Sequence, residues 1–224
     1  MIIGFDGSRA FSKEKTGTEN YSFQLLKALA KIDRVNSYII YIRSFNHEPI
    51  VHQMKLPDNF KFVEIPWSKL WTQAGLAIQT FKDNLDVLFV PSHTLPLVRK
   101  PNLKTVLTVH DLGSEYLPKM HQVKQRLYLS LMQKFQLKTA TKLISVSKAT
   151  KVDLINKLGL DEDKISVVYE GYDKEKFSAK DGSSSVRKVD TLVDSLRYFL
   201  FVGTVQPRKN LERVIQALAQ LPKG

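Results

Sequence analysis

The feature that most constrains this chain is an alternation of short β-branched or aromatic runs with stretches of helical spacing. The runs are Ile2–Phe5, Tyr38–Ile42, Lys61–Ile65, Val87–Val90, Thr105–Val109, Leu143–Val146 and Ser166–Tyr169. Several are apolar on both faces, which suits parallel strands covered by helices above and below. Between them lie helical patterns over Glu19–Lys31, Trp71–Lys82, Lys119–Thr139 and Ser147–Leu158. In the first, Phe23, Leu26 and Ala30 share a face, as do Leu25 and Leu29, so the apolar stripe is broad. Ser147 is placed to cap the start of the fourth, and Gly159 follows it where a left-handed residue ends a helix. The alternation predicts an α/β fold built on a doubly wound parallel sheet.

From Ser178 the pattern changes to SAKDGSSSVRKVDTLVDS, a polar, serine-rich stretch that reads as a linker or surface excursion. Regular structure is then expected to resume. Tyr198–Val202 reads as a strand, and Asn210 as the cap of a helix with Leu211, Val214, Ile215 and Leu218 on one stripe. One strand and one helix cannot cover their own apolar faces, because a sheet needs neighbouring strands. The expected organisation is therefore a first domain over 1–177, a linker over 178–197, and the opening strand and helix of an incomplete second unit over 198–224.

Composition narrows the functional classes. The chain has no cysteine, which removes disulfides and thiolate metal sites, and a reducing, cytoplasmic setting fits. The start, MIIGFDGSRAF, lacks the basic head and long apolar core of a secretory signal and reads as a buried strand. No apolar run reaches the roughly 18 to 20 residues that span a bilayer. The formal net charge of +12 admits polyanions, anionic lipid surfaces and phosphorylated small molecules as partners. It equally admits solvated helix faces, because the cations are scattered. No zinc-finger spacing, ribonucleoprotein motif or helix-turn-helix accompanies the charge, so nucleic acid is not an expected partner.

In a doubly wound sheet, ligands sit outside the carboxyl ends of the strands, where loops lead into helix N-termini. After the first strand, Thr16-Gly17-Thr18-Glu19-Asn20-Tyr21 opens a helix. Gly17 either lets backbone approach a ligand, with the helical N–H groups of Thr18 and its neighbours favouring a phosphate, or merely turns the chain. After the fifth strand, His110 is placed to hydrogen-bond a substrate hydroxyl or to handle a proton, unless it is a structural histidine. Asp111 beside it either orients a group or caps a turn. His93, in Pro91-Ser92-His93-Thr94 after the fourth strand, shares that position. No cluster of His and carboxylates has metal-ligand spacing. Near the end, Gly203-Thr204-Val205-Gln206-Pro207-Arg208-Lys209-Asn210 again opens a helix. Two adjacent cations there occupy the unfavourable end of a helix dipole unless an anion compensates them, so Arg208 and Lys209 read as a diphosphate site.

Taken in order, TGTENY, VPSHTLPL, TVLTVHDL, ISVSKATKVDL, ISVVYEGYDKEKF and YFLFVGTVQPRKNLERVIQAL resemble one family. It is that of the retaining GT-B glycosyltransferases of the "glycosyl transferases group 1", or family 4, type. Each segment is weak alone; their order and spacing are specific, and they span nearly the whole chain.

The resemblance implies two Rossmann-like domains facing each other across a cleft. The first mainly holds the acceptor, a glycan or lipid-linked group, and the second holds a nucleotide-diphosphate sugar. It implies that Gly17 and its neighbours approach the donor phosphates, that His110 lies near the transferred sugar, and that Arg208 and Lys209 hold the diphosphate. It implies no cofactor and no metal, since cations and helix dipoles stabilise the leaving group. The chain departs from the family at Thr204, where many members carry arginine. The family's downstream glutamate pair and its base pocket would lie beyond Gly224, in a missing donor-domain half, so the isolated chain is expected not to turn over. The alternative expectation is a non-catalytic acceptor- or membrane-surface-binding module. It rests on Lys119–Lys142, where Lys124, Arg126, Lys134 and Lys138 interleave with Leu127, Tyr128, Leu131 and Phe135. Such a helix either lies peripherally on the inner face of a membrane or packs its apolar side on the sheet.

Overall fold

The computed structural model describes residues 1–12, 15–44, 54–92, 94–112, 123–174, 177, 199–203 and 205–221. They divide into two units, Met1–Glu170 and Gly171–Gly224.

The first unit is one seven-stranded sheet. Its strands are β1 (Ile2–Asp6), β2 (Ser37–Arg43), β3 (Phe60–Ile65), β4 (Val87–Val90), β5 (Lys104–Val109), β6 (Lys142–Ser145) and β7 (Ile165–Val167). They stand in the order β3-β2-β1-β4-β5-β6-β7, and every pair is parallel. Each expected strand of this unit forms, within a residue or two at its ends. The cause is visible in β2, where Tyr38 through Ile42 are all buried because helices cover both faces. The core accordingly lies in two layers. One is built on Tyr41, Ile65, Trp71, Leu88 and Leu107, the other on Phe5, Phe11, Leu26, Ile40 and Phe89.

Helix α1 (Gly17–Ile32) buries Leu26 and Ala30 against the second layer. Helix α2 opens as a π-helical turn over Trp71–Leu76 and continues as α-helix over Ala77–Lys82. Helix α3 is Val123–Thr139; residues 119–122 of the expected helix lie outside the described residues. Helix α4 (Lys148–Leu158) begins as its sequence predicts, with the Ser147 hydroxyl accepting from the Thr150 N–H at 3.0 Å. It ends at Gly159, whose φ of 63° is the left-handed conformation glycine adopts without cost.

In the second unit two expectations fail. Residues 199–202 form no strand, and Phe199, Leu200, Phe201 and Val202 are all exposed. Extended backbone becomes strand only where another strand pairs with it, and among the described residues none does. Helix α5 (Leu211–Ala219) is present, preceded by a 3₁₀ turn over Pro207–Lys209. Asn210 stands before it in the left-handed conformation (φ 51°) and makes no side-chain capping bond, because an Asn cap needs extended backbone to reach the following N–H groups. Val214 and Ile215 of its apolar stripe are exposed, and Leu218 is half-buried. The expected linker, 178–197, lies outside the described residues.

Candidate functional site

Strand order reverses between β1 and β4, and a doubly wound sheet places its ligands in the crevice at that point. Here the crevice is a polar cleft of about 400 Å³ at the carboxyl ends of the strands. Its charged lining is Asp6 from the end of β1, Arg9 from the loop that follows, Glu19 from α1 and Arg43 from the end of β2. Hydroxyls of Ser8, Ser12, Thr72, Ser92 and Thr94 complete it.

The loop after β1 is shaped by packing. A Cβ on Gly7 would stand 2.8 Å from the Ile40 methyl and 3.0 Å from the Tyr41 carbonyl oxygen, so only glycine fits beside β2. The chain turns there, and the Ser8 N–H donates to the Asp6 carboxylate at 3.0 Å. Asp6 is 4% exposed, and burial pushes its carboxyl up from its ordinary value despite opposing help from Ser8, Arg9 and Arg43. Arg9 donates to Glu19 at 2.8 Å, and Glu19 also accepts from the Thr16 N–H at 3.2 Å and from the Thr16 hydroxyl. Burial alone would raise Glu19; the bonds from Thr16 and Arg9 outweigh it and hold the carboxyl low. Arg43 lies over the Trp71 ring at 5.4 Å.

Gly17 opens α1 in helical conformation, and a Cβ there would meet nothing within 4 Å. The fold itself thus has no need of glycine at this position, unlike at Gly7. Thr18, beside it in the first turn, is half-buried. His110 follows β5, with its Nε2 3.1 Å from the Pro91 carbonyl and its Nδ1 3.0 Å from the Glu170 carboxylate. A carbonyl only accepts, so Nε2 donates to Pro91; both contacts are satisfied when the ring carries a proton on each nitrogen. Tyr21, one turn into α1, meets the His110 ring edge-on at 4.8 Å. Burial raises the Tyr21 phenol, with Thr108 opposing and Glu170 adding to the shift. The segment that carries Gly17 and the one that carries His110 are thereby brought together. Asp111 is exposed.

The remaining expected residues fall differently. His93 and Thr204 lie outside the described residues. Lys209 is exposed in the 3₁₀ turn before α5, and the Arg208 side chain is outside the description. Among the described residues, no three His, Asp or Glu side chains are grouped to hold a metal ion. Sequence reasoning missed Asp6, Arg9, Arg43 and Glu170. Asp6 had a usable signal, a lone carboxylate ending a buried strand; Glu170, 60 residues from His110, had none.

A parallel sheet of this order, with its polar crevice at the reversal, defines a Rossmann-like α/β domain. The profile of Glycosyltransferase Family 4 matches residues 15–176, and the chain belongs to that family. It is similar to the O-antigen chain mannosyltransferase RfbU of Salmonella typhimurium (strain LT2), 24% identical over 213 residues, covering 91% of this chain and 55% of the relative. Among solved structures it is similar in fold to Anabaena Alr3699/HepE in complex with UDP-glucose, with a TM-score of 0.59 and 17% identity, covering 100% of this chain and 58% of that one. The same protein with UDP and glucose gives a TM-score of 0.57 at 16% identity over 99% and 58%. The chain spans little more than half the length of these relatives. No helix among the described residues is long and apolar enough to cross a membrane.

Proposed function

We propose that this chain is the acceptor side, with the opening of the donor side, of an enzyme that moves a hexose from a nucleotide-diphosphate sugar to a glycan or lipid-linked acceptor with retention. The observation that carries the reading is the Tyr21–His110 contact, which joins the glycine-headed start of α1 to the histidine after β5 at the carboxyl end of the sheet. Gly17 and Thr18 face the donor phosphates, with open space where a side chain would stand. His110 hydrogen-bonds the transferred sugar. Its Nδ1 partner, Glu170, is 47% exposed, so a sugar hydroxyl can replace that contact at little cost. His93 and Asp111 are assigned to substrate binding with it. Arg208 and Lys209 neutralise the diphosphate as it departs. In the transfer, the bond from the anomeric carbon to the diphosphate oxygen breaks. The acceptor oxygen bonds to the same face of that carbon, and its proton passes to the departing phosphate oxygen. No metal and no carboxylate nucleophile is needed. Turnover requires the rest of a donor domain.

The test is calorimetric titration of nucleotide hexoses, UDP-glucose and GDP-mannose among them, with the donor-domain half supplied as a fused or separate chain. Binding of one of them, weakened about tenfold or more in Lys209→Ala, is expected. No binding of any would contradict the enzymatic reading.

A second reading is a membrane-surface contact through α3. Leu131 is 54% and Phe135 48% exposed, one turn apart, while buried Leu137 and Ala140 pack on the core instead. Lys138 beside them is exposed. Co-sedimentation with phosphatidylglycerol vesicles at low salt, lost in Leu131→Glu, supports this reading, and failure to sediment rejects it.

A further inference from the structure

A second groove, of about 730 Å³, opens at the other end of the sheet from the crevice. Helix α1 starts beside the carboxyl end of β1 and runs back toward the amino end of β2. Its last turns and residues 54–57, just ahead of β3, meet there. We infer that this groove takes one acidic phospholipid at a time, its phosphate among the rim cations and its acyl chain along the floor. The inference does not depend on the transfer reading.

The floor is apolar. Phe23 and buried Ala30 of α1 form it with Met54, Leu56 and Pro57. Phe23, Met54 and Leu56 also pack on the second core layer, which ties the floor to the sheet. The rim is cationic. Lys27, Lys31, Arg34 and Lys55 stand around it, all exposed. Lys27, Ala30 and Lys31 share one face of α1, so the lysine stems run along the floor while their ammonium groups reach water. Lys15 brings a fifth cation, its Nζ 5.0 Å from the centre of the Phe23 ring.

Among the described residues no carboxylate lines the groove, and none forms an ion pair with the four rim cations. Arg34 donates from Nη1 to the Ala30 and Asp33 carbonyls, which are neutral and leave its charge in place. The Asp33 carboxylate is taken up by Val35, Asn36 and Tyr38. The end of α1 carries about half a negative charge, which offsets only a small part of four positive ones. Lys27 and Lys31, like charges one turn apart, weaken a helix unless an anion answers them.

A bare phosphate would satisfy the cations and leave the apolar floor wet. A neutral chain would cover the floor and leave the cations crowded. A phosphate ester carrying an acyl chain does both, and the volume lies within the roughly 300–1,000 Å³ of small-molecule sites. Ile32 and Val35, 75% and 89% exposed, follow Lys31 and Arg34 directly. Apolar side chains standing in water beside cations suit the interface of an anionic bilayer, which favours a lipid over an acidic peptide.

The experiment is calorimetric titration of the full chain at low salt with dihexanoyl-phosphatidylglycerol below its micellar concentration. Dihexanoyl-phosphatidylcholine and glycerol 1-phosphate are the comparison ligands, one lacking net charge and the other lacking the chains. Binding of the phosphatidylglycerol is expected, at least about tenfold tighter than either comparison ligand. It is expected to weaken about tenfold or more in Lys27→Ala/Lys31→Ala and in Lys55→Glu. Lys104→Ala/Lys148→Ala, which removes two exposed lysines elsewhere, is expected to bind as wild type does. All the replaced lysines are exposed, and melting curves check that each variant is folded. Absence of phosphatidylglycerol binding overturns the inference. Glycerol 1-phosphate binding as tightly as the lipid reduces the groove to a free-anion site, and equal phosphatidylcholine binding reduces it to an apolar one; either overturns it. So does equal weakening in Lys104→Ala/Lys148→Ala, or loss in Leu131→Glu with the groove variants binding normally, which would move the lipid to α3. No nucleotide sugar enters these titrations, so their failure and that of the transfer reading are told apart.

Discussion

The edge of one ring in the Tyr21–His110 pair faces the plane of the other, at 4.8 Å and 87°, while the His110 nitrogens reach Pro91 and Glu170. The imidazole is therefore fixed on three sides by α1, the β4 loop and the segment after β7. Removing the tyrosine ring frees His110 to rotate. Tyr21→Ala is expected to lower transfer by about tenfold or more and to cost about 0.5–1.5 kcal/mol beyond the lost burial. Tyr21→Phe keeps the packing and loses only a 3.5 Å contact with Thr108, so it stays near wild type in both. Melting curves and kcat for the two variants check this.

Gly17 and Gly7 answer the same substitution in opposite ways. At Gly17 an added methyl meets open space in a helix, so Gly17→Ala leaves stability unchanged or raises it by up to about 1 kcal/mol. Under the proposed function its cost is expected to fall on the donor, as a raised KM for the nucleotide sugar.

Gly7→Ala is expected to lose about 1–3 kcal/mol, because the new methyl lands on the Ile40 side chain and the Tyr41 carbonyl of a buried strand. Urea unfolding of the two alanine variants side by side separates a glycine kept for a ligand from one kept for the core.

Two carboxyls give opposite pH dependences. Asp33 accepts from the side chain and N–H of Asn36, from the Tyr38 hydroxyl and from the Val35 N–H, and these bonds hold it well below the usual carboxylate range. Its folded value is depressed, so its contribution is full above the ordinary value of 3.8 and is lost as pH falls toward the folded value. Asp6 is raised by burial, so the folded state holds its proton more tightly and its contribution declines as pH rises from 3.8 through the higher folded value. Urea midpoints between pH 3 and 7 are expected to show Asp33→Asn flattening the acid-side loss. Asp6→Asn, uncharged at every pH, is expected to remove the decline and to be at least as stable as wild type near pH 7.

The sheet was legible because buried parallel strands are written as unbroken apolar runs, and β2 and β4 are such runs. The caps of α4 were legible because Ser147 and Gly159 act on their own backbone. Pairing is not local, and this is why Tyr198–Val202 read as a strand while its described residues, 199–202, form none. The π-helical start of α2 left no mark, since Trp71 and Leu76 suit either helical period. His110 and Gly17 were singled out from strand-end position, and the Tyr21–His110 contact brings their two segments together. Arg43 reaches the crevice, and Glu170 reaches His110, through topology, which brings residues far apart in sequence to the carboxyl end of one sheet.

The most direct measurement is the anomeric configuration of the product, read by NMR, when hexose is transferred from an α-linked nucleotide-diphosphate sugar to an oligosaccharide acceptor with the donor half supplied. The account predicts an α-linked product, formed on the order of 100-fold more slowly by His110→Ala. A β-linked product, or transfer indifferent to the loss of His110, would contradict it.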